Sequence, residues 1–452
     1  MTSCIKRRSE VKQTQWFCIA LGLLTIFYAI LYCVFLYTTL VRVPVWDLLD
    51  WVVLYLQTGR TGDWWSYLWQ PHNEHRIPIS RLLLAVDIEI FRGSGIPFLI
   101  FGALSQLAIV GVLIREIRLS SQATELRLVA IAAVIFAFAA SHLAILVSIT
   151  VLGVFLQTTL FVILAITFLD GENENRHSVL RRSLAIACAA LAPFGVSAGL
   201  LVWPVMLWAA WRGNLGPKWS VLIALVGIAE WIIYLRGISV TPHKLISAAE
   251  IVNMLDYSVR FLGLPWSHAP SLVWFGRLAG LTWFAVGSWL LVTLSLQKPA
   301  LGRLQRIGAA LILFTLSTAA AAGIARLGVA PDREMPIRYS IFVATGQIGI
   351  LFAASGCLIS FCRHFAGRAV KSLVILAAII LVAQQVASGF AATAVAQKYV
   401  SLWELFRSGR WTPEMEAYVY PSQARAEFAL QLFRKENLYS ARTLELPARN
   451  SE

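Results

Sequence analysis

The chain has 452 residues, 58% of them hydrophobic and 14% charged, with a net charge of +14 and a mean hydropathy of +0.70. That apolar content exceeds what a water-soluble core needs, so the bilayer is the expected solvent. Lys and Arg fall in short clusters between apolar runs, so positive-inside bias and anionic headgroups account for the charge, and nucleic acid is excluded as the partner in favour of membrane lipids.

The amino terminus carries Lys6, Arg7, Arg8 and Lys12 ahead of an apolar run from Trp16 to Leu40. The run is too long for a signal-peptide core, so it is expected as an uncleaved first span that starts in the cytoplasm. Apolar runs of bilayer length then predict about eleven spans, the rest near 96–114, 128–140, 150–169, 184–191, 199–211, 219–235, 272–296, 307–325, 339–361 and 372–394. Threading from a cytoplasmic start puts the basic clusters at 115–127, 176–182, 212–218, 298–306 and 363–371 on one side. Loops 42–95, 236–271 and 326–338 then lie on the other face, with a segment from about Gln397 onward. The expected fold is all-α: a polytopic transmembrane helical bundle over residues 1–396, interfacial helices in the outer loops, and a small extracytoplasmic segment at 397–452. The six cysteines lie in or beside apolar spans or in the basic tail, and make neither a disulfide framework nor a CxxC metal site.

The first outer loop concentrates the polar chemistry. Asp47 and Asp50 follow Pro44 at helical spacing, which places both carboxylates on one face near a helix amino terminus. A carboxylate at a cavity mouth is a candidate general base, because partial desolvation raises its basicity; the alternative is a group that complements the helix dipole. Next come Trp64 and Trp65, and then His72, Glu74, His75 and Arg76 within five residues. Arg takes a phosphate by two parallel hydrogen bonds and His adds a donor or a proton relay, whereas an interfacial cluster with Arg76 snorkelling to headgroups is the plainer alternative. Trp46, Trp51, Trp64, Trp65 and Trp69 offer flat faces to a sugar or prenyl chain, or serve as ordinary interfacial aromatics. Behind Pro78, Ile79, Leu82, Leu83, Val86 and Ile90 recur at helical spacing and predict an interfacial helix over 78–92, and a second is expected over 247–262.

Further along, His243 opens the second outer loop, while Arg338 and Tyr339 close the third against a span as a phosphate grip or as interfacial anchors. Glu230 and Arg277 lie within or near spans, where ionisable groups are costly and often functional. The reading assigns no cofactor. The spacing of the His/Glu/His cluster departs from HExxH and no third cluster supplies clear ligands, which leaves a divalent cation as the lesser alternative.

With Asp47 early in the first outer loop, an interfacial helix behind it and Arg338-Tyr339 after a late outer loop, the chain resembles the GT-C superfamily of integral membrane glycosyltransferases. The nearest kin in pattern are bacterial protein mannosyltransferases and lipopolysaccharide-modifying transferases. The resemblance implies transfer of a sugar from a polyprenyl-phosphate donor to a glycan or lipid acceptor at the outer face of a bacterial plasma membrane, with Asp47 as the base. Two elements depart from the pattern: the Asp-Glu pair is here Asp47-Leu48, and the His-Pro-Pro element is here His72-Asn73-Glu74-His75-Arg76. That string, with Phe261-Leu262-Gly263-Leu264-Pro265 and Tyr420-Pro421, is also similar to a set of uncharacterised bacterial polytopic membrane proteins over most of the chain. A transporter or flippase of a lipid-linked sugar, and a non-catalytic scaffold of a polysaccharide assembly complex, are the alternatives.

Overall fold

A computed structural model describes residues 2–39, 41, 44–120, 149–169, 177–238, 247–267, 273–297, 301–325, 337–355 and 368–439. Among these residues the chain is all-helical apart from one isolated antiparallel bridge, His72 to His75. In chain order the helices are α1 (Thr2–Thr39), α2 (Asp47–Leu54), α3 (Trp64–Trp69), α4 (Pro78–Phe91), α5 (Ile96–Ser120), α6 (Ile149–Leu169), α7 (His177–Leu191) and α8 (Val202–Arg212). They continue with α9 (Pro217–Leu235), α10 (Ala248–Leu262), α11 (Val273–Leu296), α12 (Arg303–Ala325), α13 (Ser340–Ala353), α14 (Arg368–Arg407), α15 (Glu414–Tyr418) and α16 (Gln423–Lys435).

Six helical stretches among the described residues are long and apolar enough to cross a bilayer: Gly22–Thr39, Ile96–Ser120, Pro217–Leu235, Val273–Leu296, Arg303–Ala325 and Ile379–Arg407. They suggest a membrane-spanning protein, with Gly153–Leu169 and Ser340–Ala353 as shorter apolar helices. The span expected at 128–140 lies outside the described residues. Those expected at 184–191 and 199–211 are not separate bilayer-length helices. Pro193 and Gly195 break the chain into two 3-10 turns, Ala192–Phe194 and Ser197–Leu201, and the 11 residues of α8 reach only about 16 Å.

Basic side chains gather at one end of the bundle. Arg303 at the start of α12 pairs with the buried Glu116 near the end of α5 (2.6 Å), and Arg212 donates to the Gln297 carbonyl beyond α11 (2.9 Å). Close helix contact comes from small residues, as is usual where lipid offers no hydrophobic drive. A Cβ at Gly308 of α12 would collide with the backbone of Ala353 and Gly349 in α13.

At the opposite end the first loop folds into α2, a π-helical turn (Tyr55–Gly59), α3 and α4. The helix predicted over 78–92 is observed as α4, ended by Arg92 in the left-handed region (φ 55°). Its apolar Leu82, Val86 and Ile90 are exposed while Ser80, Arg81 and Asp87 are buried, the inverse of a water-soluble helix and the order expected against acyl chains. Arg81 earns its burial by capping α3: its Nη1 donates to the carbonyls of Tyr67 and Gln70 (2.6 Å each), and the Tyr67 hydroxyl donates back to the Arg81 carbonyl (2.7 Å). The helix predicted over 247–262 is α10, opened by a capping box in which Ser247 Oγ accepts from the Glu250 amide (3.2 Å) and Glu250 accepts from the Ser247 amide (2.7 Å).

The carboxy-terminal segment is not a detached appendage. The expected boundary at 396/397 falls inside the 40-residue α14, which at about 60 Å is roughly twice the hydrocarbon thickness. Its last turns bury Tyr399, Leu402, Trp403 and Phe406, and α15 and α16 fold back over the first loop. Arg60 bridges Glu89 and Glu436 (3.0 and 2.5 Å), and the Tyr439 amide donates to the Arg92 carbonyl (3.3 Å).

Removing the Arg81 guanidinium leaves helix-end carbonyls buried without donors, so Arg81→Ala is expected to cost about 3 kcal/mol. Thermal unfolding in detergent, monitored by circular dichroism, measures it.

Candidate functional site

Between the first loop, the broken α7–α8 connection, the start of α13 and the carboxy-terminal segment lies a cavity of about 780 Å³. The volume suits a small-molecule ligand. Its polar lining comprises Asp47, Asp50, His72, Glu74, His75, Arg338, Tyr420 and Arg425, and Trp51, Val154 and Phe155 contribute apolar wall. Asp47, at the start of α2, and Arg338, just before α13, thus share one cavity.

The local fold of the His72 to Arg76 string decides who faces inward. His72 and His75 exchange backbone hydrogen bonds (2.8 and 2.9 Å) across a tight turn at Asn73-Glu74, with Asn73 in the left-handed region (φ 51°). Bridge partners project to the same face, so both imidazoles line the cavity, and by alternation the next residue points away. Arg76 accordingly leaves the site. Its Nε donates to the Tyr234 carbonyl (2.8 Å), its Nη1 and Nη2 to the carbonyls of Trp69 and Arg236, and the residue is 3% exposed. The expectation that Arg76 grips a phosphate is therefore corrected: its planar fork satisfies carbonyls at the ends of α9 and α3.

Asp47 opens α2 and is half-exposed, with its Oδ1 3.3 Å from His72 Nε2. Burial pushes its carboxyl up, but the His72 hydrogen bond and the positive charges of His72 and Arg338 outweigh that and hold it below the usual carboxylate range. The expected rise in basicity is thus reversed in sign. Asp47 stays ionised at neutral pH, ready to accept a hydroxyl proton, and is a weaker base than burial alone would make it.

His75 is held from behind by a residue that the sequence did not single out. The Ser197 backbone amide donates to Nδ1 (3.3 Å) and Ser197 Oγ lies 2.9 Å from the same atom. A backbone N–H can only donate, so Nδ1 carries the lone pair and the proton of the neutral ring sits on Nε2. That nitrogen lies 3.8 Å from Glu74 Oε1. Burial pushes His75 down to about 4, so it serves as an uncharged donor at neutral pH.

Arg338 stands in a 3-10 turn, Ile337–Tyr339, just before α13. Its guanidinium lies 5.8 Å from the Tyr339 ring and has no ion-pair or hydrogen-bond partner among the described residues. Tyr339 itself is not part of the cavity lining. It packs against Phe155, Phe261 and Phe342 (5.6, 5.5 and 6.4 Å between ring centres), so its role is to seat the turn that carries Arg338. Asp50 lines the cavity, but its carboxylate is occupied: the Tyr420 hydroxyl donates to Oδ1 and Oδ2 (2.8 and 2.7 Å) and Arg425 lies 3.4 Å from Oδ1. Asp50, named beside Asp47 as a candidate catalytic carboxylate, is thus held by Tyr420 and Arg425.

His243 lies outside the described residues. Glu230 and Arg277 are both paired, Glu230 accepting from Trp203 Nε1 (2.5 Å) and Arg277 gripping Asp256 with two bonds (2.8 and 2.9 Å). Of the tryptophans, Trp51 walls the cavity and meets His72 edge-on (5.5 Å), while Trp65 stacks on Trp69 at the surface (5.7 Å). Among the described residues no group of three or more His, Cys, Asp or Glu is arranged to hold a metal ion. Asn73, Tyr420, Ser422 and Arg425 are polar lining residues missing from the sequence-derived site. The Tyr420-Pro421 pair was visible as part of a resemblance, but nothing local tied it to Asp50, 370 residues away.

Trp46, directly before Asp47, adopts φ 52° and ψ −132°. Such a conformation costs a bulky side chain about 1–3 kcal/mol and persists only where its surroundings impose it. Here the Trp46 amide donates to the Val419 carbonyl (2.7 Å) and its ring meets Tyr399 edge-on (5.4 Å).

Compared with family models, curated proteins and solved structures, the chain finds no match. The class that fold and cavity define is an all-helical protein, suggested to span the membrane, with a polar cavity at the end of the bundle remote from the Glu116–Arg303 pair.

Two outcomes follow from this geometry. Ring-labelled ¹⁵N spectra should show His75 as the neutral Nε2–H tautomer down to a pH of about 4. Arg76→Lys should lower the thermal midpoint, because an ammonium cannot reproduce the planar fork, whereas Arg338→Lys should leave it unchanged.

Proposed function

We propose that the chain is an integral membrane glycosyltransferase that moves a sugar from a polyprenyl-phosphate donor to a glycan or lipid acceptor at the outer face of a bacterial plasma membrane. The observation that carries the reading is the single cavity in which the ionised Asp47 and the uncommitted cation Arg338 both stand. A base for a hydroxyl and a cation for a departing phosphate are the two charges that a single displacement at an anomeric carbon requires.

In that reaction Asp47 accepts the proton of the acceptor hydroxyl as its oxygen bonds to the anomeric carbon. The bond from that carbon to the donor phosphate oxygen breaks, and its electron pair leaves on the phosphate, opposite Arg338 and the Nε2–H of His75. His72 holds Asp47 in place from the side. Of the other carboxylates in the lining, Asp50 is taken by Tyr420 and Glu74 lies 3.8 Å from His75 Nε2, so a covalent sugar intermediate is not invoked and inversion is the expected outcome. Arg76, reassigned to the helix ends, takes no part.

Asp47→Asn should lower transfer from a polyprenyl-phosphate-linked radiolabelled sugar by about 10³-fold with an unchanged thermal midpoint. Arg338→Gln should lower it by about 10²- to 10³-fold. Full activity in the Asp47 variant would remove the base and with it this mechanism.

A further inference from the structure

The residues that grip α2 on either side of Asp47 are neighbours in the carboxy-terminal segment. Ahead of Asp47, the Val419 carbonyl accepts the Trp46 amide at 2.7 Å. One turn beyond it, the Tyr420 hydroxyl donates to both oxygens of Asp50 at 2.8 and 2.7 Å. Val419 and Tyr420 are themselves fixed, because both of their amides donate to the Met415 carbonyl (2.8 and 3.0 Å) and both residues are buried. The grip therefore works as a two-point vice on the first turn of a short helix whose amino terminus carries the carboxylate.

We propose that Tyr420 is a positioning residue: its hydroxyl on Asp50, with the Val419 carbonyl on Trp46, clamps α2 so that Asp47 meets His72 in the cavity. The clamp acts together with the Tyr399 ring in holding Trp46 at φ 52°, and relaxation there toward an ordinary backbone angle would swing the first turn of α2 away from the His72–His75 turn. Asp50 then has a defined task, as the anchor of the vice, and Arg425 steadies it by its charge and by lying over the Tyr420 ring (5.9 Å). The clamp deepens the reading of this cavity as a reactive site, but its geometry can be read without turnover. The charged and titratable groups that face Asp47 are His72, His75, Glu74 and Arg338 in the cavity, with Asp50, Tyr420 and Arg425 behind it.

The test uses the full chain in detergent with ring-labelled ¹⁵N histidine. Because His72 Nε2 lies 3.3 Å from Asp47, its shift reports the carboxylate as an acid-side inflection, expected below the usual carboxylate range in the wild type. Tyr420→Phe keeps the ring and its packing but removes the donor, and should move that inflection upward. Asp50→Asn takes a like charge from beside Asp47 and by that alone lowers the inflection, so a net upward movement in this variant reports lost positioning and carries the test if the Tyr420 variant does not give a monodisperse protein. Arg434→Gln, on the far side of the same segment where Arg434 bonds the Arg407 carbonyl, should leave the inflection in place. An unmoved inflection in both Tyr420→Phe and Asp50→Asn overturns the clamp. In the transfer assay Tyr420→Phe should lower kcat by about 10²-fold with little change in KM, the signature of a misplaced base. A moved inflection with no transfer by any form of the protein would uphold the clamp and reject the glycosyltransferase; transfer with an unmoved inflection would do the reverse.

Discussion

Helix ends must find donors for their last carbonyls, and in this chain two guanidinium groups from the loop between α1 and α5 supply them. Arg81 caps α3 and Arg76 joins the ends of α9 and α3. The rest of the site depends on that bond set. It pins the chain on both sides of Ile77, so the residues just before it form a tight turn with its two imidazoles turned inward. A guanidinium meets several carbonyls in one plane, which an ammonium does not, and it stays charged when partly buried. The same interaction removes Arg76 from the chemistry: three of its five N–H bonds go to helix-end carbonyls, and the side chain is buried away from the cavity.

The electrostatics of the cavity follow from a contest between burial and neighbours. Burial raises a carboxyl, and for Asp87 in α4 it prevails, pushing the group up to about 6 against hydrogen bonds from Gly95 and Ser94. At Asp47 the sign is opposite, since His72 and Arg338 stand close enough to outweigh burial. Two carboxylates one helix apart therefore hold opposite protonation tendencies, set by whether a cation shares the pocket. His75 adds a third solution, a ring kept neutral and oriented by a backbone amide, which offers a donor without adding charge.

The long α14 gives the cavity its second wall. It leaves the bundle and carries the carboxy-terminal helices back over residues that were made several hundred positions earlier. The cavity's outer wall is thus built last in the chain, and Asp47 is presented correctly only once Val419 and Tyr420 have docked. Removal of the segment from Trp411 onward would take away that wall and release α2 together.

Much of this was legible in the amino-acid order. Apolar runs of bilayer length, the helix behind Pro78, the helix opened by Ser247 and the turn of α2 after Pro44 are all set by local periodicity and capping, which act over a few residues. The concentration of Asp47, His72, Glu74 and His75 in one loop was visible for the same reason. What only the tertiary structure decided was the direction and pairing of side chains: Arg76 outward and His75 inward, Asp50 spoken for by Tyr420, Tyr339 packed among phenylalanines, and Arg338 brought to Asp47. Those outcomes depend on contacts between segments up to 370 residues apart, and on which carbonyls a helix end leaves unpaired, neither of which a periodic pattern encodes.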